Sequence, residues 1–219
     1  MNSAILHRLA KLLPGRDAAD PYWSDFIRRK PADSANLLGP RLRAAPTGLV
    51  YSIKTEVHDP QAMSGHLREL SKFFGADLLG VAASTPDLLA ALEGMAPPEE
   101  GEAAHSAQQW ASELPFAVMA LIAWQHDPER DLGIGGQWGD LKTAVIAFNL
   151  AAYIRELGYR AIATNLHSAP LAAAAGLGTL ASGGKLAVPG FGLHVWLANA
   201  VLTNLPLAPT GGTPPHGAT

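Results

Sequence analysis

Apolar positions along the chain change their spacing several times, and each change predicts an element. After Asp59-Pro60, the residues Met63, Leu67, Leu70 and Phe74 recur every third or fourth position. That spacing predicts a helix with an aspartate N-cap, a proline in its first turn and a stop at Gly75. Ala76 to Ala83 (ADLLGVAA) reads as a strand, and Thr85-Pro86-Asp87 opens a short helix through Leu92. Phe116 to Trp124 (FAVMALIAW) is apolar without interruption, as for a central strand covered on both faces. Gln125 to Gly139 is too glycine-rich for a helix and reads as a loop. The longest helix is expected from Asp140, as N-cap, to Leu157, with Gly158 as its stop. Leu141, Ala144, Val145, Phe148, Ala152 and Arg155 track one side of it. Tyr159 to Thr164 is a further strand, Ala169 to Ala175 a short alanine helix, and His194 to Thr203 a last strand. Strands following directly on helices of this length predict an α/β (α+β) fold.

The flanks are different. Residues 1–48 are punctuated by Pro14, Pro21, Pro31, Pro40 and Pro46 and read as an N-terminal arm with short helices, anchored by Tyr22, Trp23, Phe26 and Ile27. Leu49 to Ile53 is read as a short strand opening the main domain, residues 49–207. Ala96 to His105 is a polar surface excursion. Residues 208–219 offer no core residues and are expected to be a disordered tail.

Composition removes several function classes. Of 219 residues 48% are hydrophobic, enough for one sizeable core, and the net charge of -3 leaves no basic field for nucleic acid. Arg28-Arg29-Lys30 is a solvated turn. The sequence has no cysteine, so it supplies no disulfide, no thiolate nucleophile, no Cys-ligated zinc and no thiolate for an iron–sulfur cluster. No secretory h-region is evident near the start, and the longest apolar run is about half of what a spanning helix needs. The expectation is a cytoplasmic protein with no membrane contact.

Gly158 to Leu207 carries glycines at a density that ordinary loops do not need. Either backbone comes close to a flat ligand, or chain packs tightly on chain. Gly133-Ile134-Gly135-Gly136 and Ala175-Gly176-Leu177-Gly178 both lack the spacing of a dinucleotide fingerprint, and no Walker lysine follows a glycine loop. His126, His167 and His194 lie at the ends of elements without metal-ligand spacing. Ser168 and Ser182 have no nucleophile-elbow context. Asp140 is a helix cap that could also deliver a proton if burial raised its pKa.

The order of pieces in the C-terminal half is more specific than any one of them. Ala151-Ala152-Tyr153-Ile154-Arg155-Glu156-Leu157-Gly158-Tyr159-Arg160-Ala161, Ala169-Pro170-Leu171-Ala172, Ala175-Gly176-Leu177-Gly178, Gly192 and Leu202-Thr203-Asn204-Leu205-Pro206-Leu207 resemble the cobalamin-binding core of reductive dehalogenases. Epoxyqueuosine reductases share much of this pattern, and Phe74 to Ala82 is similar to the opening helix and strand of that core. The resemblance covers roughly residues 50–207. It implies a nitroreductase-like sandwich, a central mixed sheet flanked by helices, that binds a corrinoid.

Transferred residue by residue, the resemblance makes Asn165, His167, Ser168, Gly176, Leu177, Gly178, Gly184, Lys185, Phe191, Gly192 and Thr203 the cofactor-binding candidates. His167 or His194 would be an axial ligand to cobalt, and Asp140 a proton donor. The departures are as informative. Asn204 stands where these enzymes have Asp, the arginine-rich strand after Gly192 reads Leu193-His194-Val195-Trp196, and the cysteines of their ferredoxin-like module are missing. The expectation is therefore a cobalamin (vitamin B12) protein without iron–sulfur clusters that binds, transfers or processes the upper ligand of a corrinoid. Electrons, where needed, would come from an external flavoprotein or ferredoxin. The alternatives are a partner-dependent cobalamin reductase or dehalogenase-like enzyme using Asp140, and a flavin- or heme-binding protein on the same fold. A homodimer is compatible with all of these.

Overall fold

The structure, a computed structural model, describes residues 38–43, 45, 47–92, 105–123 and 134–211. Most of the N-terminal arm, including Tyr22, Trp23 and Phe26, and the segment holding His126 lie outside these residues.

Capping signals at Asp59, Thr85 and Ser168 start helices where the sequence places them. Helix α1 spans Leu38–Arg43 and α2 spans Pro60–Phe73. Asp59 caps α2 by accepting from the backbone N–H of Gln61 and Ala62, and Gly75 ends it at φ 93°. Strand β1 is Leu78–Ala83, followed by α3, Pro86–Leu89, capped by Thr85. Helix α4, Ala107–Glu113, carries a reciprocal Ser106–Gln109 capping box. Strand β2 is Phe116–Ala123 and is buried except at its ends.

The long helix α5 runs Ile134–Glu156 and corrects the sequence reading. Gly135, Gly136 and Gly139 do not hold this stretch in a loop, and Asp140 lies inside the helix rather than at its cap. Gly139 is buried because the Trp196 indole lies on it, and a Cβ there would fall 2.6 Å from the ring. Packing of the ring overrides the helix cost of glycine. Strand β3, Ala161–Ala163, leads to α6, Ala169–Ala174, capped by Ser168. A small hairpin of β4, Thr179–Leu180, and β5, Leu186–Ala187, precedes β6, Val195–Leu197, and β7, Val201–Thr203.

The main sheet has the order β1-β2-β7-β3, with β6 also on β2, and every pairing is antiparallel. It is not the mixed sheet expected: β2 and β3, joined through α5, run the same way but have β7 between them. Helices cover both faces. Ile146, Leu150 and Ile154 of α5 and Leu67 of α2 pack with Val81, Val118 and Val201 on one face. Leu171 of α6, Trp110 of α4 and Leu89 of α3 pack with Met119, Leu121 and Leu202 on the other.

Two further expectations change. Leu49 to Ile53 forms no strand: the chain bends at Ser52 and Ile53, Tyr51 N–H donates to the Arg155 carbonyl, and Leu49 is 97% exposed. A helix terminus offers single carbonyls but no ladder. Beyond Leu207, the chain stays engaged through Gly211. Thr210 N–H donates to the Val81 carbonyl while its Oγ1 accepts from Val81 N–H, which covers the outer edge of β1.

The glycines follow from these crossings. A Cβ on Gly80 would meet the Ala175 carbonyl oxygen at 2.2 Å, and one on Gly178 the Ala187 carbonyl oxygen at 2.3 Å. Gly176, at φ 75°, turns the end of α6 against Thr210 and Gly211. The Ala175–Gly178 motif is thus a crossing of chain on chain. Gly80→Ala should destabilise the fold by about 1–3 kcal/mol through overpacking. Gly65→Ala, in α2 with open space around it, should instead stabilise by about 0.5–1 kcal/mol. Urea unfolding of the two variants checks this, and equal midpoints would contradict the crossing.

Candidate functional site

Strand β2 runs past β6 and then β7 with a change of register. Leu121 faces Leu197 and Val118 faces Val201, so Ala198, Asn199 and Ala200 occupy a span that Met119 and Ala120 fill on β2. The expected single strand His194–Thr203 is therefore two strands separated by a β-bulge. One inserted residue reverses which side chains face which way. Odd positions Val195 and Leu197 pack on the α6 face, whereas Val201 packs on the α5 face.

The loop after β3 is tied to this bulge. Thr164 N–H and Oγ1 both donate to the Ala200 carbonyl, at 2.8 and 3.0 Å, and Ala200 N–H donates to the Leu166 carbonyl at 3.0 Å. Buried Asn199 donates its Nδ2 to the Thr164 carbonyl at 2.5 Å, while its Oδ1 is buried without a partner. His167 Nδ1 lies 3.0 Å from the Leu197 carbonyl oxygen. A carbonyl only accepts, so Nδ1 carries the hydrogen, and the lone pair of the neutral ring belongs to Nε2.

These contacts leave an open cleft of about 560 Å³ between the loop, the start of α6, the β4–β5 turn and β6. Leu186, Leu193, Val195 and Leu197 give it an apolar wall, and His167, Ser168 and Lys185 give it polar groups. Its size is that of a ligand pocket.

Of the residues carried over from the resemblance, the cleft brings together His167, Ser168, Gly184 and Lys185. Ser168 Oγ accepts from Leu171 N–H as the α6 cap, so its own hydrogen remains for another acceptor. Asn165 is exposed nearby on the loop. Gly192 sits in an exposed turn, bridged to Val188, and Phe191 packs on the α6-side core. His194 does not line the cleft. Leu177 is a core residue. Thr203 is fully buried, donating to the Arg160 carbonyl and accepting from Leu205 N–H. Gly176 and Gly178 are occupied by the crossings described above.

Asp140 is elsewhere. Both its carboxylate oxygens accept from the Arg43 guanidinium, at 2.9 and 2.7 Å, in a bidentate pair that ties α1 to α5. Helix α5 covers the sheet face opposite the cleft. A second polar cluster sits at the other end of the sheet, where Arg160 and His105 both approach Glu113, at 2.7 and 3.5 Å. The Arg160 hydrogen bond holds the Glu113 carboxyl below the usual range. Sequence reasoning missed the bulge and the apolar cleft wall. The signal was the phase break between Leu197 and Val201.

No protein-family model matches this sequence, and no curated protein matches it. Solved structures do match in fold. The catabolic reductive dehalogenase NpRdhA aligns with a TM-score of 0.64 at 20% identity, over 89% of this chain and 27% of that one. A reductive dehalogenase whose structure suggests a mechanism for B12-dependent dehalogenation gives 0.64 at 21%, over 87% and 27%. NpRdhA in complex with 3-bromo-4-hydroxybenzoic acid gives 0.61 at 21%, over 94% and 30%. The chain has the fold of the corresponding part of these proteins and spans under a third of their length.

Two substitutions probe the site and its opposite pole. Asn199→Asp sets a carboxylate against the Thr164 carbonyl, two acceptors facing each other in the core. It should cost at least about 1–3 kcal/mol near pH 7 and less near pH 5, where a raised pKa restores a donor. Unchanged urea midpoints would remove Asn199 from the support of the bulge. Glu113 has a lowered folded pKa, so its contribution is present above the unfolded value of about 4.3 and is lost as pH falls through the folded one. Wild type should exceed Glu113→Gln by a few tenths to about 1 kcal/mol at neutral pH, with the gap closing in acid. A gap that widened in acid would reverse the assignment.

Proposed function

We propose that the chain binds a corrinoid in the cleft at the start of α6. The observation that carries this is the convergence of His167, Ser168, Gly184 and Lys185 on one cleft. These residues were singled out by likeness to a cobalamin-binding core, and the fold is that of dehalogenases described as B12-dependent.

The donor set fits such a ligand. The apolar wall suits the edge of a macrocycle, and the Ser168 hydroxyl and Lys185 ammonium suit its amides and phosphate. Gly184, at φ 73° with open space beyond its Cα, leaves the rim clear of side chain. Because the cleft is open, a ligand larger than its volume can be held by one face. When bound, a corrinoid supplies a cobalt centre for ligand exchange and for low-potential electron chemistry. This chain would orient the ring, shield one side of it from water with Leu193, Val195 and Leu197, and neutralise its phosphate through Lys185.

The reading is a binding, transfer or upper-ligand-processing role. None of these 219 residues is a cysteine, so electrons for any reduction would come from an iron–sulfur or flavin centre beyond them. Asp140, held by Arg43 on the other face of the sheet, is given no part in it.

Hydroxocobalamin mixed with the full chain should co-elute on gel filtration and shift its visible spectrum. Lys185→Ala should weaken binding about tenfold, roughly 1.4 kcal/mol. Flavin mononucleotide and hemin, run in parallel, test the alternative occupants. Co-elution of either one without cobalamin would sink the proposal.

A further inference from the structure

We infer that His167 supplies, through Nε2, an axial nitrogen to the metal of the bound macrocycle. This rests on the corrinoid reading above and goes further by naming the atom.

Three observations combine. The first is the fixed tautomer. With Nδ1–H given to the Leu197 carbonyl at 3.0 Å, the basic lone pair is on Nε2, across the ring from the anchoring bond. An imidazole whose other nitrogen donates to a backbone carbonyl is fixed in tautomer and direction, which is how metal-binding histidines are held. The second is the anchor. Leu197 ends β6 where the bulge begins, and the His167 loop is pinned to the same bulge by the Thr164, Leu166 and Asn199 hydrogen bonds. The ring is therefore positioned by the sheet although it lies in a loop and is solvent-exposed. The third is the surroundings. His167 lines the cleft beside an apolar wall, and among the described residues no three His, Asp or Glu side chains gather as a metal site.

A single imidazole does not hold a zinc ion, which takes at least three protein ligands. It can complete the coordination of a metal whose equatorial positions are already filled by a macrocycle. Corrin and heme meet that condition and flavin does not. The fold likeness favours corrin. His194, the other candidate from the sequence, is not at the cleft. Ser168 and Lys185 are poor competitors, being a hard hydroxyl engaged as a helix cap and a protonated amine. Coordination adds one donor bond and changes no oxidation state.

The test uses the full chain with its histidines labelled with heavy nitrogen, mixed anaerobically with cob(II)alamin prepared beforehand. Electron paramagnetic resonance then reads which nitrogen is axial. A histidine nitrogen from the labelled protein splits the cobalt lines into doublets, while the cofactor's own base, unlabelled, splits them into triplets. Doublets are expected, lost in His167→Ala and kept in His194→Ala, with co-elution of the cofactor retained in both. Triplets, or unsplit lines from bound cofactor, would overturn the assignment and leave the corrinoid reading standing. Doublets that survive in His167→Ala would overturn it as well. Absence of any co-eluting cobalamin would instead remove the corrinoid reading and this inference with it. Circular dichroism of His167→Ala matching wild type shows that a lost signal comes from the ligand and not from unfolding.

Discussion

The bulge at Ala198–Ala200 is the constraint on which the candidate site depends. Strand β2 is a straight, buried ladder and sets the phase for whatever lies against it. Because β6 and β7 both lie against it with one extra residue between them, their side chains alternate in opposite phase. Were the strand regular through these residues with β7 kept in register, Val195 and Leu197 would turn toward α5, and the Trp196 indole would turn to the cleft side in place of its seat on Gly139. Two of the same residues hold the loop after β3, Ala200 through its backbone to Thr164 and Leu166 and Asn199 through its side chain to Thr164. A local irregularity in one strand thus sets both the wall and the polar edge of the cleft.

Much of the fold was legible because it rests on short-range chemistry. The Asp59-Pro60 start and Gly75 stop of α2, the Thr85 cap of α3 and the buried run of β2 all appear where the pattern places them. What failed was nonlocal. The glycines before Asp140 look like loop residues until Trp196, far along the chain, is seen to need the space above Gly139. Leu49 to Ile53 has strand composition but only helix-end carbonyls to meet. Helix α4 could have been found, since Ser106 and Gln109 are spaced as a capping box.

The candidate site was legible in a different way. His167, Ser168, Gly184 and Lys185 came from a resemblance, and the structure places them on one cleft. Thr203 and Leu177 came from the same source and are core residues, so the motif mixes cleft-lining and packing positions. Glycine density was the weakest guide. Gly80, Gly176 and Gly178 are where β1, α6, β5 and residues 210–211 cross, a demand of close backbone packing that any occupant of the cleft leaves unchanged.

The two faces of the sheet consequently divide the polar chemistry. On the α5 face, Asp140 spends both oxygens on Arg43 and joins α1 to the body. A carboxylate so engaged would have to give up a bidentate pair before it could carry a proton, which suits a latch better than an acid. On the α6 face, His167 has one nitrogen committed to a fixed carbonyl and the other uncommitted, and Lys185 is exposed at the rim. Partial commitment is what a binding group needs: enough bonding to fix its direction, with one donor or lone pair left over. By that criterion the α6 face leaves polar groups over beside an apolar cleft, whereas the α5 face spends its carboxylate on holding the protein together.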